Sequence, residues 1–357
     1  MIKLKKSILI VISFSLLLFF CFCSESKEHL LTFSWKANKA PLQILLVDSF
    51  VLPTDFPKHL MEVYKDHNQL AYTHNVVVGT GAVEGIKLSV LDLESGKISS
   101  ILTGIDRTGQ MRHINKLFVE DGTVYTIDPN KQIILYSMDL NQTEKLVIDC
   151  SEVKSFPDGD FFIKNNGCFL ASLRSSSKQA EYNPIVKIDK NGKAQYINED
   201  IKIDRIENQM RDYPFVLADV FKDEMIVLPQ HHKYFFIINL EKGSFKKYGL
   251  PDEIPIDEEP TLNQVKKGEM QVTGNYIKNS AIKWCNFENG KVDLIFHFRS
   301  KADENISKYQ FYSMDIANHT VSSIDSLPFT EPRFVNSSDP DELLVLENKT
   351  LFSYMIK

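Results

Sequence analysis

The sequence has no block of lysine and arginine, no Gly-X-Y period and no cysteine pair at metal-binding spacing. Each absence removes a class of protein. With 41 basic against 47 acidic residues in 357 and no basic cluster, nucleic acid is not an expected partner. Taking away the three lysines of the first 22 residues deepens the net charge from −6 to −9. A hydrophobic share of 43% with 25% charged residues excludes a mostly disordered chain. Cysteine is scarce. Beyond Cys21 and Cys23 only Cys150, Cys168 and Cys285 remain, an odd number that gives no disulfide framework. Cys150 and Cys168 could pair if adjacent strands bring them together, and otherwise each serves as a small core residue. No Cys-x-x-Cys or Cys/His ligand spacing predicts a structural zinc site, and no cofactor is expected.

Catalytic signatures are missing too. There is no Gly-x-Ser-x-Gly elbow, no Ser-x-Asp-x-Gly box and no Trp-Asp repeat. Gly79-Thr80-Gly81-Ala82-Val83-Glu84-Gly85 lacks the Gly-x-Gly-x-x-Gly spacing of a phosphate cradle and no βαβ unit surrounds it, so it reads as a loop between strands. Carboxylates are abundant, but acid–base pairing depends on distances that a sequence does not hold.

What is present begins with an address. Lys3, Lys5 and Lys6 precede an apolar run from Ile8 to Phe22, interrupted by Ser13 and Ser15. A transmembrane helix needs about 20 apolar residues, so this run is short for a span and reads as the core of an export signal. It closes on Phe20-Cys21-Phe22-Cys23-Ser24-Glu25-Ser26. A cysteine ending such a run and followed by small and polar residues is similar to a bacterial lipoprotein signal, in which that cysteine becomes the acylated first residue. Cys23 is the expected lipidation site, with Cys21 as the alternative; an uncleaved membrane anchor is the other reading. The expected organisation is a signal over residues 1–22, a tether over 23–41 and one body over 42–357.

The body reads as strand, turn, strand, with few amphipathic helices. One hairpin recurs: an apolar strand, an Asp or Asn, a short polar turn, another strand. Its anchors are Asp92, Asp139, Asp189, Asn239 and Asp315, at spacings of 47, 50, 50 and 76 residues. The long gap holds an acidic, proline-bearing stretch, Pro251 to Pro260, which reads as an insertion. A period of roughly 40–50 residues in a strand-rich chain predicts an all-β propeller of four-stranded antiparallel blades. In the second repeat the strands are expected at Ile114–Glu120, Thr123–Asp128, Gln132–Asp139 and Glu144–Ile148, with Asp121-Gly122 as a hairpin turn. Asn165-Asn166-Gly167 and Lys222-Asp223 take that place in the next two. The chain ends with only two further strands, Glu342–Leu346 and Thr350–Ile356. The missing outer strand can come from the apolar segment Leu42–Leu52, closing a six-bladed ring without a free edge between first and last blades. A β-sandwich or two β-domains are the competing architectures.

The stretch Leu102-Thr103-Gly104-Ile105-Asp106-Arg107-Thr108-Gly109-Gln110, with the strands Ile114–Glu120 and Thr123–Asp128 behind it, resembles the TolB-like six-bladed β-propeller lipoproteins. Their first repeat ends in a Gly-rich turn. Here Gly109 matches its second glycine, Asp106 stands at the first, and Met111-Arg112-His113-Ile114 replaces Gly-Pro-Gly-Glu. The resemblance extends in layout over the signal and residues 42 to 357. It implies export, lipid anchoring and a propeller, and it implies no reaction.

In a propeller the loops joining second to third strands and the loops between blades share one face. That face would collect Arg107, Arg112, His113, Asp128, Arg174, Arg211, His231, His232 and Arg333. Arg112, Arg211 and Arg333 each precede an inner strand, and guanidiniums at one channel mouth would suit a carboxylate, a phosphate or an acidic sugar. The alternative is local pairing with acids such as Asp212 and Glu331. Adjacent residues on a strand point opposite ways, so His231 and His232 are not expected to chelate one metal outside a turn. The expected function is a non-enzymatic, lipid-anchored module at the cell envelope, on the outer membrane facing periplasm or cell surface, that binds a small ligand, a glycan or a protein. The alternatives are a channel-site hydrolase or lyase acting on glycans, and a structural subunit of an envelope complex with the insertion as its docking arm.

Overall fold

Alternation of apolar and polar residues over short segments, broken by turn residues, folds this chain into strands. In the computed structural model no helix occurs among the described residues, which are 30–31, 34–38, 42–57, 60–77, 83–103, 116–128, 131–153, 160–173, 181–183, 185–204, 216–230, 232–256, 281–299, 307–337, 339 and 341–357. Three strands come first: β1 (Leu30–Leu31), β2 (Lys36–Ala37) and β3 (Ile44–Val51). The first four-stranded sheet follows, with β4 (Leu60–Asp66), β5 (Gln69–Val77), β6 (Val83–Asp92) and β7 (Ile98–Thr103). The second holds β8 (Lys116–Glu120), β9 (Thr123–Asp128), β10 (Gln132–Ser137) and β11 (Gln142–Val147). In the third, β12 (Phe162–Asn165), β13 (Cys168–Ser172), β15 (Ile185–Ile188) and β16 (Ala194–Tyr196) pair in that order, while β14 (Glu181–Tyr182) pairs with β17 (Ile203–Asp204).

The fourth sheet comprises β18 (Val216–Phe221), β19 (Glu224–Pro229), β20 (Tyr234–Asn239) and β21 (Phe245–Gly249). The fifth has β22 (Ala281–Glu288), β23 (Lys291–Arg299), β24 (Ser307–Asp315) and β25 (Thr320–Leu327). The last set is β26 (Arg333–Ser337), β27 (Glu342–Glu347) and β28 (Thr350–Ile356), with β3 antiparallel to β28 on the outer side, Ile44 opposite Ile356. Short parallel pairing of β26 with β4, Asn336 opposite Tyr64, joins this set to the first sheet. Apart from this pair and the parallel addition of β1 to β21 and of β2 to β25, the strand pairings are antiparallel, and the architecture is that of a β-propeller-like fold.

Turn chemistry explains the local register. Asp121 and Gly122 take φ of 48° and 68°, and Asn166 and Gly167 take 47° and 73°, the doubly left-handed geometry that a two-residue hairpin needs. The recurrent Asp/Asn anchors cap the turn between third and fourth strands. Asp92 Oδ1 accepts from Ser95 N at 2.7 Å, Asp189 Oδ1 from Asn191 N at 2.8 Å, Asn239 Oδ1 from Lys242 N at 2.8 Å and Asp315 Oδ1 from Asn318 N at 2.9 Å. In the second sheet the turn differs: Leu140 adopts φ of 63° and Ser137 O accepts its amide, so β10 ends at Ser137 and β11 starts at Gln142, two residues earlier than the sequence pattern predicts.

The core lies between sheets. Successive side chains of a strand point to opposite faces, so each strand feeds two cores. Leu344 and Leu346 enter the cluster shared with the first sheet, and Leu343 and Val345 enter the one shared with the fifth. Corresponding clusters lie between first and second, second and third, third and fourth, and fourth and fifth sheets. Leu250, Ile254 and Ile256, at the start of the expected insertion, are buried in the fourth–fifth cluster; residues 257–280 lie outside the described residues. Cys150, Cys168 and Cys285 are free thiols, and Cys150 and Cys285 pack against core clusters.

The segment expected to act as a tether enters the fold. β1 runs parallel to β21 and β2 parallel to β25, so the chain crosses the outer edges of the fourth and fifth sheets before becoming the outer strand of the last. Trp35 fixes it there, packing against the fourth–fifth core and donating its indole N–H to Gly249 O at 3.1 Å.

Candidate functional site

The first strands of neighbouring sheets lie side by side, β4 against β8, β8 against β12, β12 against β18, β18 against β22, and β26 against β4. A cavity of about 420 Å³ opens among β4, β22, β24 and β26, at their ends nearest the connections between sheets. Its lining is Glu62, Val63, Lys283, Tyr309, Pro332, Arg333, Phe334 and Asn336.

Register irregularities surround it. Pairing of β22 with β23 skips Lys283, and pairing of β4 with β5 skips Met61, next to Glu62. Opposite Tyr309, β25 is shifted as well, its partner being Leu327 while Phe311 faces Ile324. A bulge bends its strand and re-aims the side chain at the break, and here three of them bound one cavity.

Two cations and an aromatic wall characterise the lining. Arg333 is half-buried and donates from Nη1 to Leu60 O at 2.6 Å. Burial holds its pKa below the usual value and Glu62 opposes that shift; a guanidinium stays charged at neutral pH regardless. Glu62, the acid in the lining, accepts Lys116 Nζ at 2.6 Å, with both side chains mostly shielded from water. Lys283 is exposed. Tyr309 meets Phe334 edge-on at 6.0 Å and Phe329 at 6.3 Å, and His297 stacks on its ring at 4.5 Å. His297 Nε2 in turn lies 2.6 Å from Ser307 Oγ. The lining thus brings two cations, one carboxylate and two aromatic rings together.

Of the residues expected on this face, Arg333 lies in the cavity. His232, in the turn between β19 and β20, is buried: its Nε2 donates to Asp204 O at 3.0 Å and its ring stacks on Tyr234 at 5.0 Å. Burial drives its pKa down to about 4, so it is a neutral packing residue near neutrality. Asp128 is the last residue of β9. Arg107, Arg112, His113, Arg174, Arg211 and His231 lie outside the described residues, as do Cys21, Cys23 and Gly79 to Ala82. Sequence reasoning missed Glu62, Lys283, Tyr309, Phe334 and Asn336. Their signal was tertiary, since Glu62 and Arg333 come together from opposite ends of the body. No group of three or more His, Cys, Asp or Glu able to hold a metal occurs among the described residues, and no helix among them is long and apolar enough to cross a membrane.

No family model matches the sequence, and no curated protein matches it. Among solved structures, the chain is similar to a member of the DUF4221 family from Bacteroides vulgatus, with a TM-score of 0.54 at 6% identity over 88% of this chain and 98% of that one. The shared fold is β-propeller-like. YCF48 bound to D1 peptide aligns with a TM-score of 0.44 at 8% identity, covering 90% of this chain and 98% of that one. A chain of the mitotic checkpoint complex aligns with 0.41 at 10% identity, covering 92% and 99%. At such identities the likeness is one of fold alone.

Proposed function

We propose that this chain is an exported, lipid-anchored recognition module whose cavity among β4, β22, β24 and β26 binds a small anionic ligand with a flat or ring-shaped body. The observation that carries the reading is the lining itself. Arg333 and Lys283 share the lining with Tyr309 and Phe334, and the acid Glu62 is paired with Lys116. Cations beside aromatic surface suit a carboxylate, a phosphate or an acidic sugar. A rigid disc with loop-built faces suits recognition.

On this reading the fold is a six-bladed propeller of the TolB-like kind, closed by β3. Its support is the hydrophobic cluster between each consecutive pair of sheets, including last and first, together with β3 lying antiparallel to β28. Placement at the cell envelope rests on the charged start, the apolar run and Cys23 in the sequence.

The test is a thermal-shift and titration screen of the full chain in mild detergent against organic acids, sugar acids and phosphate esters. A ligand at about a hundred times its Kd should stabilise the fold by about 2.7 kcal/mol. Lys283→Glu is exposed and should leave the unliganded melting point unchanged while weakening an anionic hit at least tenfold. Hits indifferent to both Lys283→Glu and Asn336→Ala would remove the cavity as the site, and a screen without anionic hits would remove the ligand class.

A further inference from the structure

The outer rims of the sheets are not alike. An uncovered edge strand presents unpaired backbone groups that template another strand, and proteins blunt such edges with cover, charge, polarity or shortness. The edges of the fourth and fifth sheets are covered by β1 and β2. The third ends in β16, three residues long. The second ends in β11, where Gln142, Thr143, Glu144 and Lys145 are exposed beside one exposed apolar residue, Val147, and the first ends in β7, where Leu102 is the one exposed large apolar residue. The rim of the last sheet is β3, eight residues reading Ile-Leu-Leu-Val-Asp-Ser-Phe-Val. Leu46, Val47 and Val51 are 56%, 58% and 74% exposed, and Leu45 with its β28 partner Met355, on the other face from Leu46, is also exposed. The only brakes on this edge are a bulge, where Val47 lacks a partner on β28, and one acid, Asp48, whose Oδ1 accepts the neighbouring Ser49 amide at 2.7 Å.

We infer that the β3 edge is a self-association surface, on which a second copy of this chain adds its own β3 antiparallel to form one sheet across two molecules. The strand is complementary to itself in the register that uses all eight residues: Ile44 meets Val51, Leu45 meets Phe50, Leu46 meets Ser49 and Val47 meets Asp48, so no acid opposes another. An eight-residue strand spans about 27 Å at roughly 3.4 Å per residue. Its two faces then cover on the order of 1,000 Å² between both partners, which stands at the lower threshold for an interface between proteins. A lipid surface fits worse. The patch carries no lysine, arginine or tryptophan to settle at headgroups, and an open strand edge is not tolerated in hydrocarbon.

The experiment is analytical ultracentrifugation of the full chain in mild detergent, comparing the unsubstituted protein with Leu46→Lys/Val47→Lys and with Ser99→Lys on the rim of β7. All three carry the same apolar N-terminal run, so a difference among them reads the β3 edge. The expected result is a concentration-dependent dimer for the unsubstituted protein and for Ser99→Lys, and at least tenfold weaker dimerisation for the double variant with an unchanged melting point. A monomer up to about 100 µM would overturn the inference, and so would a dimer that the double variant leaves intact. If the double variant loses its fold, Val51→Lys alone, at the most exposed position, is read by the same criterion. Flotation with neutral phosphatidylcholine vesicles that Leu46→Lys/Val47→Lys abolishes, without an effect on dimerisation, would transfer the surface to the membrane.

Discussion

Asp219, on β18, offers a test of the electrostatics where first strands of neighbouring sheets meet. Its Oδ2 accepts Phe287 N of β22 at 2.7 Å and its Oδ1 accepts Val220 N at 2.8 Å. Dense packing outweighs these two bonds and pushes its pKa from the ordinary 3.8 up to about 6. The folded state therefore binds this proton more tightly than the unfolded one. The stability that proton contributes is fully present below pH 3.8, falls as pH rises, and is lost above about pH 6. A full shift of that size corresponds to about 3 kcal/mol. Because Asp219 keeps some contact with water, about 1–2 kcal/mol is the reasonable expectation. Asp219→Asn has no group that titrates, so it removes this pH dependence whatever constant offset its amide adds. Urea unfolding between pH 4 and 7.5 should show the variant gaining about 1–2 kcal/mol on the unsubstituted protein across that window. Curves that stay parallel would refute the argument, as would a gap that narrows with rising pH, which would mean that the Phe287 amide holds the carboxylate ionised.

Three other substitutions probe the packing, each read by denaturant unfolding. Gly192→Ala places a Cβ 2.1 Å from Val147 O at a φ of +87°, so it should cost more than about 1 kcal/mol, whereas the same change at Gly290, at φ +75° with open space around it, should cost less. Phe296→Ala removes a fully buried ring from the fourth–fifth core and should cost about 3–5 kcal/mol. Trp35→Ala removes the indole bond to Gly249 and the packing beneath it; a loss of about 1–3 kcal/mol is expected, with proteolysis N-terminal to β3 accelerating as β1 and β2 come away from the rims.

The repeat was readable because one local device recurs. An Asp or Asn that accepts the amides of its own turn imprints a residue type at a fixed place in the third-to-fourth-strand hairpin, as at Asp92, Asp189, Asn239 and Asp315. The Asp121-Gly122 turn was legible for the same reason, since only a few residue types enter left-handed backbone cheaply. Where a side chain of another kind solves the problem, as at Ser137 to Asn141, the boundary slips by two residues. The parallel addition of β1 and β2 left no pattern, because two-residue strands are too short for periodicity. The cavity was less legible still. Arg333 was singled out for preceding an inner strand, yet its Nη1 donates to Leu60 O, far away in the sequence. Lys283 acquires its aim from a bulge, and a bulge is a property of two strands that neither one announces alone.

The junction of β3 with β28 has a consequence for how the molecule is made. Gln43 and Lys357 exchange backbone bonds at 2.9 Å, and Lys349 reaches Thr54 across 295 residues of chain. The partner of β3 is thus synthesised about 300 residues after it. At about 5–20 residues per second the early strand waits roughly 15–60 s, its leucines and valines without their sheet, while five sheets are synthesised after it. Among the described pairings this seam spans the longest loop, and closing long loops is intrinsically slow. The rate at which chains reach the native state should be set by the pairing of β3 with β28 rather than by the repeats between them.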